Sequence, residues 1–147
     1  MNEEVFQIAF SEAQKAFDEE EIPVGAVLFE TKTGKIIAAA HNLTEQNKDV
    51  SAHAEILALK RAGEKLQTTH FQGYSLFSTL EPCPMCAGAL AWAQIDRVYF
   101  SAYDSKSGGT EHGARIFEHT AHCPEIYGGI REKEGAALMK KFFKEKR

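Results

Sequence analysis

The sequence predicts an α/β protein: a three-layer α/β/α sandwich with helices on both faces of a central, mixed, five-stranded sheet. Two observations carry this. Strand-like apolar segments alternate along the chain with segments whose apolar residues recur at helical spacing. The 147 residues also suit one domain, spanning 1–147, which can bury most of its apolar surface without disulfide staples.

Taken in order, Val5, Ile8, Ala9, Ala13, Ala16 and Phe17 recur at three- and four-residue spacing, an amphipathic helix that ends before Ile22-Pro23. PVGAVLFE is a strand, TKTG a turn and KIIAAAH its hairpin partner. Ser51 is placed to cap a helix from about His53 to Leu66. YSLFSTL is a third strand. It leads into CPMCAGALAWA, where Pro84 sits in the first turn of a helix, a place that tolerates proline. RVYFSA is a fourth strand. From Ser105 to Pro124 the chain is rich in Gly, His and polar residues, so a loop with one short helix near Ala114 to Glu118 is expected. EIYGG supplies a last short strand. Ala136, Ala137, Leu138, Met139, Phe142 and Phe143 form the apolar stripe of a C-terminal helix. At least one of the two phenylalanines belongs to the core, because both cannot face the same way on a helix.

No apolar run is long enough to span a bilayer, and MNEEVFQIAF is acidic where an export or transit signal is basic. The expectation is a cytoplasmic protein with no membrane partner. Three cysteines make an odd count, which points to reduced thiols kept for metal or chemistry rather than to disulfides. The net charge of −4 on its own argues against nucleic acid, but the charge is polarised. Glu3, Glu4, Glu12, Asp18, Glu19, Glu20 and Glu21 face a single Lys15. From Arg131 onward, Arg131, Lys133, Lys140, Lys141, Lys144, Lys146 and Arg147 outnumber Glu132, Glu134 and Glu145. A solvated helix face is the ordinary reading of such a run.

Cys83 and Cys86 form a Cys-x-x-Cys pair with three ordinary uses: a redox dithiol, half of a structural zinc site, or two ligands of a catalytic metal. A redox pair leaves the upstream HAE without a role. A structural zinc needs a fourth ligand, which Cys123, His119 or His122 could supply. The catalytic reading takes His53 from SAHAEILAL. One imidazole and two thiolates are ligands zinc prefers, and they leave a fourth tetrahedral position open for water. Both ligand groups open helices, whose N-terminal partial positive charge favours ionised thiolates. Glu55 is then a carboxylate near the metal that need not bind it, suited to carrying protons. HAE and PCPMC together point to one catalytic Zn2+ per chain. Three donors in EHTAHC also invite a second metal site, although surface histidines in a polar loop are commoner.

HAE followed by PCPMC matches the signature of the zinc nucleobase deaminases. Beyond it, EIPVGAVL, Asn42 in HN, AHAEILAL, TLEPCPMCAGAL, YDSKSGG and FFKEKR resemble the bacterial tRNA-specific adenosine deaminases. They occur in the same order and at similar spacing, over essentially the whole chain. The resemblance implies a cytidine deaminase-like fold and hydrolysis of adenosine to inosine at the wobble position of a tRNA anticodon. It implies zinc on His53, Cys83 and Cys86, with Glu55 moving protons between water and the base. Asn42 would hydrogen-bond the flipped nucleotide, with Asp104, Lys106 and Phe143 beside it, although Asn42, Asp104 and Lys106 are also ordinary turn residues. It further implies a homodimer whose active site is lined from both subunits, with the tRNA anticodon stem-loop as partner. The chain departs from the family pattern after Gly109, in TEHGARIFEHTAHCPEIYGG. The alternative function is deamination of a free nucleobase or nucleoside, guanine or cytosine/cytidine. The basic C-terminal helix favours RNA.

Overall fold

The structure, a computed structural model, describes residues 1–146; Arg147, the last of the basic run, lies outside the described residues. Strands β1 (Gly25–Glu30), β2 (Ile36–His41), β3 (Tyr74–Leu80), β4 (Arg97–Ala102) and β5 (Glu125–Tyr127) form one sheet in the order β2-β1-β3-β4-β5. β1 runs antiparallel to β2 and to β3, whereas β3, β4 and β5 are parallel. The short TKTG turn can only make a hairpin, while the helix between β3 and β4 is the crossover that a parallel pair requires.

Helices α1 (Glu3–Asp18) and α5 (Glu132–Glu145) cover one face of the sheet, and α3 (Ala54–Leu66) and α4 (Pro84–Trp92) cover the other. A short α2 (Thr44–Asn47) follows β2. Side chains alternate across the strands. Ala26, Leu28, Leu76 and Val98 pack with α3 and α4; Val27, Phe29 and Phe77 pack with α1. With both faces covered, β1 reads in the sequence as a nearly unbroken apolar run, and β3 is buried along its length even at Ser75, Ser78 and Thr79.

Small residues set how closely the layers approach. α3 lays Ala54, Ala58 and Ala62 on the sheet, all fully buried, and α1 does the same with Ala9, Ala13 and Ala16. Under α1 lies Gly25, where a Cβ would stand 2.0 Å from the Ala9 carbonyl oxygen and 2.7 Å from the Ala13 nitrogen. Phe6 then meets Phe77 edge-on, with ring centroids 5.2 Å apart.

The expected elements are present, with local differences. His53, not Ser51, is the N-cap residue of α3; Asp49 captures Ser51 instead, accepting from its hydroxyl at 2.7 Å and its backbone N–H at 2.9 Å. The short helix expected near Ala114 to Glu118 is a single 3-10 turn, Ile116–Glu118. α2 was not anticipated, and α5 starts at Glu132, ahead of its apolar stripe. Among the described residues, no helix is long and apolar enough to cross a membrane.

Gly25→Ala should therefore destabilise the protein by about 1–3 kcal/mol or more, since overpacking against backbone has no flexible side chain to yield. Gly88→Ala, at a helical position with open space around it, is the control and should be neutral or stabilising. Urea midpoints of the two variants check the difference.

Candidate active site

β3 and β4 end side by side as parallel strands, and the space beyond their carboxyl ends is where α/β sheets place their sites. A cavity of about 650 Å³ opens there. Two helices begin at its wall. His53 is the N-cap residue of α3 and Cys83 that of α4, both with extended backbone, and Pro84 follows at the first position of α4. One turn inside α4, Cys86 faces back to the same point and is fully buried.

His53 Nδ1 lies 3.5 Å from Cys83 Sγ and 3.4 Å from Cys86 Sγ. The three donor atoms all lie within 4.8 Å of one another, the only group of three such donors among the described residues. Tetrahedral zinc, with bonds of about 2.3 Å to sulfur and about 2.0 Å to nitrogen, holds such donors about 3.5 Å apart. The donor set and its spacing therefore fit Zn2+. The hydrogen bond from Cys86 pulls the Cys83 thiol down to about 4, and Cys83 in turn pushes Cys86 up. The bond to Cys83 raises His53. The α4 N-terminus further favours a thiolate at Cys83.

Glu55 stands in the first turn of α3, 4% exposed, and lines the cavity next to the donors without being one of them. Burial pushes its carboxyl from 4.5 up to about 7, although its own backbone N–H and His53 pull the other way.

The other expected site residues, Asn42, Asp104, Lys106 and Phe143, line the same cavity. Asn42 is buried, and its amide donates to Thr44 Oγ1 at 3.4 Å. Its segment is held by the buried Glu21, whose carboxylate accepts from the backbone N–H groups of Glu45 and Gln46 at 3.0 and 2.8 Å. Asp104 does serve as a turn former, accepting from the backbone N–H of Lys106 and Ser107, yet it remains on the cavity wall. Phe142 is the core member of its pair, edge-on to Phe17, while Phe143 is 43% exposed at the cavity. In the loop before β5, His122 Nε2 lies 2.7 Å from the Ile95 carbonyl and Cys123 is exposed, so EHTAHC forms no donor group of its own.

Sequence reasoning gave no role to Glu81, Tyr103 or Glu21. Glu81 lines the cavity at 2% exposure. Its signal was an acid between the end of a buried strand and Pro82-Cys83, a place where a carboxylate needs partners.

The family model for the cytidine and deoxycytidylate deaminase zinc-binding region matches residues 1–102. The tRNA-specific adenosine deaminase of Agrobacterium fabrum (strain C58) is 42% identical over 143 residues, 96% of this chain and 93% of its own length. The enzyme of the same name from Bacillus subtilis (strain 168) is 42% identical over 141 residues, 95% of this chain and 86% of its own. The chain belongs to the tRNA-specific adenosine deaminases of this zinc-binding family. Its fold matches, at a TM-score of 0.90 and 40% identity, a structure solved in work on A-to-I editing by tRNA:A34 deaminases at the wobble position of transfer RNA. That match covers 93% of this chain and 99% of the other.

As a member of this family, the purified deaminase should contain one zinc per chain by metal analysis, and Cys83→Ala should contain none and melt at a lower temperature. A pH dependence follows in the metal-stripped protein. A carboxyl raised in the fold stabilises it below the unfolded value of 4.5 and loses that contribution as pH rises toward about 7. Glu55→Gln should therefore gain stability relative to the stripped parent across that interval, levelling at on the order of 3 kcal/mol. Denaturant titrations at pH 5 to 8 measure this.

Proposed function

We propose that the protein hydrolyses adenosine to inosine at the wobble position of a tRNA anticodon, releasing ammonia, and that Glu55 is its catalytic residue. The observation that carries this reading is a buried carboxyl beside, but outside, a His-Cys-Cys donor group, all in one nucleotide-sized cavity. The activity of the similar enzymes named above supports the choice of substrate.

Zn2+ held by His53, Cys83 and Cys86 would supply Lewis acidity toward a water molecule. Glu55 takes one proton from that water, whose oxygen bonds to C6 of the purine, and passes it to the adjacent ring nitrogen. It then takes the second proton from the new C6 hydroxyl and passes it to the amino group, which leaves as ammonia when the C6–N bond breaks. A carboxyl whose proton affinity lies near neutral pH can do both. Asn42 offers an amide donor and acceptor to the nucleotide. Phe143 offers a ring on which a neighbouring base can stack. Lys106 and Lys140, both on the cavity wall, suit the flanking phosphates. A base in an anticodon loop is splayed out at low cost, which favours such a pocket. The proposal includes a cytoplasmic protein acting as one domain over 1–147, and a homodimer whose active site is lined from both subunits.

Ammonia release should be followed with an adenosine-bearing anticodon stem-loop, guanine and cytosine in parallel. Only the stem-loop is expected to react. Glu55→Ala should retain zinc and lose about two to four orders of magnitude in rate. Replacing Lys106 and Lys140 together by Gln should weaken RNA binding and reduce its salt slope by roughly one unit per lost contact. Turnover of guanine or cytosine, with binding indifferent to these lysines, would establish the free-base alternative.

A further inference from the structure

We infer that Glu81 is a positioning residue, which holds the substrate-facing loop against the metal-ligand segment, and that His112 completes this hold. The inference deepens the proposed function by naming what places Asp104 and Lys106 at the cavity. The Glu81 side chain is completely enclosed, yet it lies two residues before Cys83 and carries five hydrogen bonds. Its Oε1 accepts from the backbone N–H of Asp104 at 3.0 Å and faces His112 Nδ1 at 2.9 Å. Its Oε2 accepts from the Thr110 hydroxyl at 3.1 Å and from the backbone N–H groups of Glu111 and His112 at 2.9 and 2.8 Å. All five donors come from one segment, 104–112.

That segment also lies directly on the ligand-bearing backbone. The Gly109 N–H donates to the Pro82 carbonyl at 2.8 Å, and a Cβ on Gly109 would stand 2.5 Å from the Pro84 nitrogen. A Cβ on Gly108 would stand 2.7 Å from the Glu81 carboxylate itself. Thr110, Glu111 and His112 belong to the stretch after Gly109, so the residues that anchor the loop lie directly beyond the glycine pair that packs on the ligand-bearing backbone. Tyr103, on the cavity wall, packs edge-on against the His112 ring at 5.4 Å. The loop is therefore fastened to Glu81 at both of its ends. Its register against Cys83 fixes how deep Asp104 and Lys106 sit.

The test uses His112→Ala, His112→Asn and Glu81→Gln in the zinc-loaded protein, with hydrogen exchange at the amides of Asp104 and Glu111 and kinetics on the anticodon stem-loop. His112→Ala should speed exchange at both amides and raise KM by roughly ten- to a hundredfold with kcat nearly unchanged, the loss of one hydrogen bond to a charged group. His112→Asn, whose amide N–H can replace Nδ1–H, should restore both readouts. Glu81→Gln sets an NH2 against donors and should show the larger effect, with zinc content at the parental level. Unchanged exchange in His112→Ala, a fall in kcat at constant KM, or loss of zinc in Glu81→Gln would overturn the inference. A parent that does not act on the stem-loop sinks the wobble-adenosine reading alone, because the exchange measurement involves no substrate.

Discussion

α3 and α4 begin at the same point, and that convergence is the constraint around which the rest of the chain is arranged. Two helix N-termini bring their unpaired N–H groups and partial positive charge to a site that must hold thiolates away from bulk water. For them to meet, α3 and α4 have to lie on one face of the sheet at close range. The alanine face of α3, with Ala54, Ala58 and Ala62, and the Ala87 and Ala91 positions of α4 allow that approach. The position of β3 between antiparallel β1 and parallel β4 delivers Cys83 next to the strand end that carries Tyr103 and Asp104.

The opposite face supplies the remaining wall, and it uses part of the charge polarity to do so. Arg131 takes a left-handed backbone conformation at the start of α5, and its carbonyl accepts from the buried Ser101 hydroxyl at 2.7 Å. Its guanidinium pairs with Glu3 and lies 4.0 Å from the centre of the Phe6 ring. Lys141 and Lys146 both stand 5.1 Å from the centre of the Phe17 ring. Acidic α1 and basic α5 are thus partners within the fold. Lys140 is left on the cavity side, so the basic run divides between holding the wall in place and facing the site.

Elements that depend on their own residues were legible in the sequence. β3 and β4 occupy the stretches their apolar runs predict, and Pro84 marks the start of α4 because proline fits there on local grounds alone. The metal donors were legible as well, since spacing places Cys83 and Cys86 on one helical turn and a signature pairs them with His53. What stayed hidden depends on partners far along the chain. Thr44 to Asn47 coil into α2 where Glu21, more than twenty residues earlier, takes up its first N–H groups. Ser51 looks like a helix cap, but Asp49 competes for it. The five donors of Glu81 lie 23 to 31 residues beyond it, in a loop with no periodicity to announce them.

Enclosure in that one cavity has opposite consequences for two glutamates. Glu55 meets few donors, so burial dominates and it holds its proton up to about pH 7. Burial works against ionisation at Glu81 too, but the N–H groups of Asp104 and His112, the His112 ring and the Thr110 hydroxyl outweigh it and keep that carboxyl below the usual range. A carboxylate offers about four lone-pair sites, and five donors saturate them. Glu81 can neither lend nor borrow a proton near neutrality. Two side chains of the same kind thus differ in charge near neutrality: a fixed carboxylate bound into the 104–112 loop and a carboxyl whose proton affinity lies close to the ambient pH.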